Sequence, residues 1–234
     1  HPAVAAGVAQ HSDFRADPFA RLRRTLTASY AVVFGTSRQA DRALGRMNSI
    51  HAAVRGTVPE TGADYQAQRP DLLLWVHATL VDTALRIYDR YVARLTADEA
   101  QAYYAESRLV AVRLGVPDGD VPATLDQLRD WMAEMTASGA VSVTPTARSL
   151  APSVLYPSRA LPRFAWDAAH LISYSVLPPS IRRGYRIGWS PARERAMDRV
   201  ASVSRRLLPL LPATLREMPH ARSAERRLGL QRGR

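Results

Sequence analysis

SRQADRALGRMNSIHAAV, residues 37 to 54, is the stretch from which the fold is read. Its apolar members Ala40, Ala43, Leu44, Met47, Ile50 and Val54 recur every three or four residues, the period of one helical face, while Arg38, Asp41, Arg42, Arg46 and Arg55 fall off that line. The segment predicts an amphipathic helix capped by Ser37 and running on toward Gly56. His51 falls on the apolar seam, one turn after Met47.

Outward from this helix the chain is punctuated by caps. Asp17 before Pro18 predicts a helix start with proline in the first turn, where the missing amide hydrogen costs nothing, and Gly35 closes it. Asp71 after Pro70 begins the next. Thr96 with Glu99, and Thr124 with Gln127, have capping-box spacing, with stops at Gly115 and near Gly139. Thr144 with Pro145 starts a shorter helix, residues 163 to 177 form an apolar one ended by Pro178 and Pro179, and Ser190 with Pro191 opens the last long one, to Pro209. No stretch alternates with period two, and no hairpin signal lies between β-branched runs. The expected fold is all-α, a single helical bundle over 1–215, with its core in 1–140, C-terminal helices in 141–215 and a basic tail in 216–234. A proline-rich, irregular stretch from Thr144 to Pro162 is expected to divide the bundle from a C-terminal pair that packs back on it.

The chain has 234 residues, 47% of them hydrophobic, enough for a real core. All 32 basic residues are arginine, and the net charge is +11. The tail holds six arginines against Glu217 and Glu225, so +4 of the charge sits there and +7 on the body. The remaining arginines are interleaved with carboxylates and accompany no nucleic-acid recognition motif, so no nucleic-acid partner is expected. An anionic membrane surface and the propionates of a porphyrin are the candidate anionic partners. No cysteine is present, which excludes thiolate ligation and disulfides. The longest apolar run, Leu72 to Val81, is shorter than the roughly 20 residues a spanning helix needs. The expected location is cytoplasmic or peripheral to a membrane. His1 falls inside helical sequence, so the natural N-terminus, with any targeting signal, is expected upstream.

An imidazole on an apolar seam needs a partner, because a buried unsatisfied polar group costs about 1 to 3 kcal/mol. For His51 two readings stand: a core histidine bonded to a carbonyl, or an axial metal ligand on an apolar wall. His77, inside the run Leu72 to Val81, poses the same choice, with a second axial ligand or a pocket-lining residue as the functional form. That run reads as the buried centre of the bundle, with His77, Thr79, Asp82 and Thr83 as interior polar groups. Arg21 and Thr25 lie one turn apart with Arg24 adjacent, a cation and a hydroxyl that suit a propionate or a polar ligand. Glu217 and His220 are three apart, but Pro219 breaks the helix that would present them. Tyr65 reads as a surface loop residue or the rim of a pocket.

Four stretches in order, HPAVAAGVAQHS (1–12), RLRRT (21–25), IHAAVRG (50–56) and WVHATLVD (75–82), resemble the MpaB/rubber oxygenase family, whose best-known member, latex clearing protein, cleaves polyisoprene with haem b. The likeness spans about residues 1–140 and continues weakly in TPTAR (144–148) and WSP (189–191). It implies a globin-like helical core around haem b, with His51 on iron from the proximal side and Arg21, Arg24 and Thr25 holding the haem and shaping the distal side. Two departures stand out. Arg24 occupies a position where latex clearing proteins have lysine, and residues 1 to 12 lack the distal glutamate that those proteins use as a base, Gln10 being nearest in shape. Glutamine cannot take an allylic proton, so rubber-type alkene cleavage is not implied.

The functional expectation is a haem oxygenase taking dioxygen and an apolar substrate, an isoprenoid or another natural product, with Arg21, Thr25 and Gln10 as candidate catalytic residues and His51, His77, Arg21, Arg24 and Thr25 as candidate haem contacts. A haem carrier or sensor without turnover, and a haem-free helical interaction protein, are the alternatives. A Soret band separates the haem readings from the third.

Overall fold

Three capping boxes set the helical frame. In each, a threonine hydroxyl accepts from the amide three residues on, and the side chain there bonds back to the threonine amide. Thr96 pairs with Glu99 and Thr124 with Gln127, as the spacing predicts. The third is Thr36 with Gln39, so the cap of the helix in residues 37–53 is Thr36 and not Ser37. The chain is described by a computed structural model that covers residues 1–12, 17–157 and 162–229.

Its helices are α1 (Pro2–His11), α2 (Pro18–Phe34), α3 (Ser37–Ala53), α4 (Pro70–Ile87), α5 (Ala97–Leu114), α6 (Leu125–Ala137), α7 (Pro145–Leu155), α8 (Arg163–Val176), α9 (Pro179–Gly184), α10 (Pro191–Leu207), α11 (Ala213–Arg216) and α12 (Pro219–Arg227). The fold is all-α apart from one small feature. Helix α3 stops at Ala53, short of Gly56, and the chain turns into β1 (Arg55–Thr57), paired antiparallel with β2 (Asp64–Gln66) so that Gly56 faces Tyr65. Three-residue strands are too short to show alternation, so the sequence reads through them.

Helix α4 is the axle. Ala78, Val81 and Leu85 pack with Tyr104 of α5 and Leu125 and Leu128 of α6. Leu73 and Leu74 pack with Ala111, Val116 and Val121. Leu72 joins Ala3, Ala6, Val58 and Tyr65, tying α1 and the hairpin to the bundle. The run is not buried all round, however: Val76, Leu80 and Thr83 are exposed, and Thr79, half-buried, donates to its own helix at the Val76 carbonyl. Of the four polar groups expected inside, only His77 and Asp82 are buried. Asp82 accepts from Arg86 at 2.5 Å and from Arg129 of α6 at 3.3 Å.

After Ile87 the helix widens into a π turn, Tyr88–Val92, in which the Ala93 amide reaches back to the Tyr88 carbonyl. The altered register exposes carbonyls to side-chain donors. Ser204 donates to the Tyr91 carbonyl at 2.7 Å and Arg205 to that of Arg90. Arg90 in turn grips Glu194 and Asp198 of α10 and the Ser175 carbonyl of α8. The C-terminal helices therefore do pack back on the first bundle. The stretch expected to separate them is largely helical: the Thr144 hydroxyl caps α7, and α7 lies against α1. Residues 158–161 of that stretch, and Arg232 and Arg234 of the tail, lie outside the described residues. The tail also contributes α12, whose Arg227 donates to the Phe34 and Gly35 carbonyls at 2.8 and 3.1 Å, supplying a cation where the end of α2 leaves acceptors unpaired.

Leu128 is fully buried at the meeting of α4, α5 and α6. Leu128→Ala is expected to cost about 2 to 5 kcal/mol, the range for a truncated core leucine, read as a shift of the denaturant midpoint at unchanged slope.

Candidate functional site

Helices α2 and α3, each of 17 residues, are joined only by Gly35 and Thr36 and pack along their lengths as an antiparallel hairpin. Equal rises counted back from the link set Arg21 level with the last turn of α3, which carries His51. Helix α1 arrives at the same end. Gln10 Nε2 donates to the Thr57 carbonyl at 2.9 Å, Gln10 Oε1 accepts from the Tyr65 hydroxyl at 2.7 Å, and His11 Nε2 lies 2.9 Å from the Arg55 carbonyl oxygen. Of the four separated sequence stretches, the one around Gln10 is thus tied to the strand that follows the His51 helix, those around Arg21 and His51 lie on the two packed helices α2 and α3, and the fourth supplies His77 in the second turn of α4.

The inner line of α3 is Ala40, Leu44, Met47, Asn48 and His51, with Ala40 and Leu44 buried and the rest half-buried. Ile50, expected on that seam, is exposed, and Val54 lies past the helix end, against the α1 and hairpin core. The side chain of Asn48 donates to the Arg113 carbonyl at 3.2 Å, its own carbonyl accepts from Gln68 at 3.1 Å, and Asp41 pairs with Arg113 at 3.1 Å, which together fix α3 against α5 and the entry to α4.

Both histidines have a nitrogen without a partner. His51 Nδ1 and His77 Nε2 are shielded from solvent and bonded to nothing, as are Asn48 Oδ1 and Arg108 Nε. Burial pushes the pKa of both rings down; for His77 the effect is partly offset by the Ser107 backbone. Each is a neutral imidazole at neutral pH, with a lone pair available. The expectation of a carbonyl-bonded core histidine does not describe His51 Nδ1.

The other predicted residues are placed more openly. Arg24 and Thr25 are exposed, Arg21 is half-buried, and the Thr25 hydroxyl donates to the Arg21 carbonyl at 3.0 Å. Phe19, Leu22, Leu26 and Val33 form an exposed apolar row along α2, and Val76 and Leu80 do the same beside His77. Two distinct pockets, of about 470 and 300 Å3, lie elsewhere: one around the π turn, lined by Arg86, Asp89, Arg90, Glu194 and Arg205, the other between α8 and α10, lined by Phe164, Leu171 and Met197. Glu217 and His220 form no site; Pro219 begins α12, and the His220 ring lies 4.8 Å from that of Tyr30.

Tyr65, read from the sequence as a surface loop residue or the rim of a pocket, is fully inside, a core residue and the donor to Gln10. One residue of the site escaped the sequence reading. Asn48 precedes His51 by three on the inner line, a spacing that could have marked it.

The family described as ER-bound oxygenase mpaB/B'/Rubber oxygenase, catalytic domain, matches residues 1–206. The chain belongs to this family. Two uncharacterized proteins, from Mycobacterium bovis and Mycobacterium tuberculosis, are each 27% identical over 199 residues, which cover 83% of this chain and 76% of theirs. No solved structure matches the chain significantly. Membership in the MpaB/rubber oxygenase family makes this an oxygenase-type domain, with dioxygen and an organic substrate as its partners.

Gly56 lets Gln10 approach the hairpin: a Cβ there would run into Gln10 Oε1 and come within 3.0 Å of the Tyr65 hydroxyl. Gly56→Ala is expected to cost about 1 to 3 kcal/mol through overpacking, seen as a lower melting temperature. A second expectation concerns pH. Because folding lowers the histidine pKa values, the unfolded chain binds more protons below its ordinary value of about 6.5, so stability is full above that pH and falls on acidification. The melting temperature should drop between about pH 7 and pH 5, above the carboxylate range, and His77→Gln should flatten the slope. An unchanged slope in His77→Gln would refute a buried neutral ring at this position.

Proposed function

We propose that this protein is a haem b-dependent oxygenase of apolar substrates, with His51 as the axial ligand to iron and the α2–α3 hairpin end as its binding site. The observation that carries the reading is the partnerless, solvent-shielded nitrogen of a neutral His51 on the inner line of α3. The donor chemistry fits the group. Among the described residues no cluster of three or more His, Asp or Glu could hold a metal ion, whereas a porphyrin brings four nitrogens of its own and needs only one or two imidazoles from the protein. His77 offers a second bare nitrogen of the same kind.

Bound haem would supply the dioxygen chemistry that no side chain here possesses. The chain's own part is binding and orientation. His51 presents a lone pair without needing to lose a proton. Arg21 and Arg24, on a helix with no acidic residue, provide positive charge for the propionates, and Thr25 is oriented by its bond to the Arg21 carbonyl. The exposed apolar row on α2 and the pair Val76 and Leu80 give a greasy substrate a surface to cover and a way to exclude water. Gln10 acts here as a clamp: both ends of its amide are engaged, and they hold β1 directly after the helix that carries His51.

A second reading, haem binding without turnover, is favoured by one observation: residues 1–12 hold no carboxylate, Gln10 being nearest in shape, and an amide accepts no proton at neutral pH. Protein produced with haem supplied should show a strong Soret band. His51→Ala should abolish it, and His77→Ala should retain at least part. A band unchanged in His51→Ala overturns the ligand assignment, and wild-type protein that takes up no haem overturns the cofactor. Oxygen uptake on addition of isoprenoid substrates then separates an oxygenase from a carrier.

A further inference from the structure

Helix α10 docks through Met197 and Ala201 against Tyr91, but beside that face Val200, Val203 and Leu207 recur at helical spacing and are exposed. The exposed line does not end with the helix. Beyond it a short 3-10 turn, Leu208–Leu210, and α11 carry the chain onward past Pro209 and Pro212, and there Leu210 is 78% and Leu215 73% exposed. Leucines so far out of a core are unlike the scattered apolar residues of an ordinary surface, because they follow one another along a single stretch of chain, an apolar ridge in sequence. From Arg199 to Arg216 the sequence has four arginines and no acidic residue. Arg199, Arg206 and Arg216 are exposed, while Arg205 is spent on the Arg90 carbonyl. Most of the ridge lies past residue 206, where the family match ends.

We propose that this ridge is an interfacial membrane anchor, seating Leu207, Leu210 and Leu215 at the headgroup boundary of an anionic bilayer with Arg199, Arg206 and Arg216 against the lipid phosphates. Charge decides between the occupants that an apolar ridge could take. A second copy would bring an identical cationic segment against this one, and like charges across an interface oppose docking. An anionic lipid surface complements both the leucines and the arginines. No helix of the described residues is long and apolar enough to cross a membrane, so the contact is of the kind that lies on the surface. The inference does not depend on the haem reading, since the ridge lies in neither the α2–α3 hairpin nor α4.

Sedimentation of the full chain with vesicles tests it. Vesicles of phosphatidylcholine mixed with phosphatidylglycerol should bind at least about tenfold more strongly than phosphatidylcholine alone, and salt should weaken the binding. The double variant Leu210→Asp with Leu215→Asp should lose about tenfold or more with its melting temperature unchanged, since neither side chain is packed. If that variant melts early, Arg206→Gln with Arg216→Gln replaces it and should erase the preference for the anionic vesicles. Absence of vesicle binding, binding indifferent to both variants, or a dimer in sedimentation equilibrium that the leucine variant dissociates would each overturn the proposal.

Discussion

The structure depends on one constraint: α4 has apolar residues pointing in several directions at once and must be enclosed by other elements. Leu72, Leu73 with Leu74, and Ala78 with Val81 and Leu85 each belong to a different core cluster, so α1 with the hairpin, the α5 end with its following turn, and α6 are all assembled around a single helix. Removing water from those faces is the main source of stability, and it also dictates position. A polar residue on the covered arc of such a helix faces inward, as His77 and Asp82 do. Asp82 meets this by pairing with two arginines, a solution that leaves a costly charge if either the carboxylate or its partners are lost. His77 meets it only in part.

The π turn extends that logic to the C-terminal half. A regular end to α4 would satisfy its carbonyls within the helix or leave them to water. The widened turn instead hands the carbonyls of Arg90 and Tyr91 to Arg205 and Ser204, and turns Tyr91 inward to bond the Ser175 hydroxyl at 2.6 Å. Arg90 completes the joint from the side-chain direction. Helices α8 and α10 are thus registered against the first bundle by directional hydrogen bonds as well as by the small apolar cluster of Tyr91, Met197 and Ala201. This explains how the proline-rich sequence from Thr144 onward can link two sets of helices without separating them.

What the sequence disclosed follows the range of the forces involved. Caps are local: Asp17, Thr96, Thr124, Thr144 and Ser190 all accept from an amide three residues on, as their spacing predicts. The shift from Ser37 to Thr36 is a choice between adjacent hydroxyls that periodicity cannot make. Exposure is not local. Ile50 sits on the apolar period of α3 and Leu80 in the longest apolar run, yet both are exposed, because which arc of a helix is covered depends on where its neighbours stand. Tyr65 shows the converse, a polar-flanked loop tyrosine drawn into the core by Gln10 and by Leu72. His51 and Gln10 could be picked out as single residues, but the bonds that tie Gln10 to the strands after the His51 helix required the fold.

The unsatisfied atoms have a pattern of their own. Buried polar groups in native proteins nearly always find partners, and each exception costs on the order of 1 to 3 kcal/mol. Here His51 and Asn48 lie one turn apart on α3, His77 on α4, and Arg108 next to Ser107, the residue whose backbone supports His77. Three neighbouring helices therefore carry the same kind of deficit, around two rings that burial keeps neutral. Packing alone gives no reason for it, since leucine or phenylalanine in place of either histidine would relieve the deficit and enlarge the core. On the reading proposed above, a group that takes imidazole nitrogen as a ligand would give a reason, because the nitrogen that costs stability when unpartnered is the one that would bind.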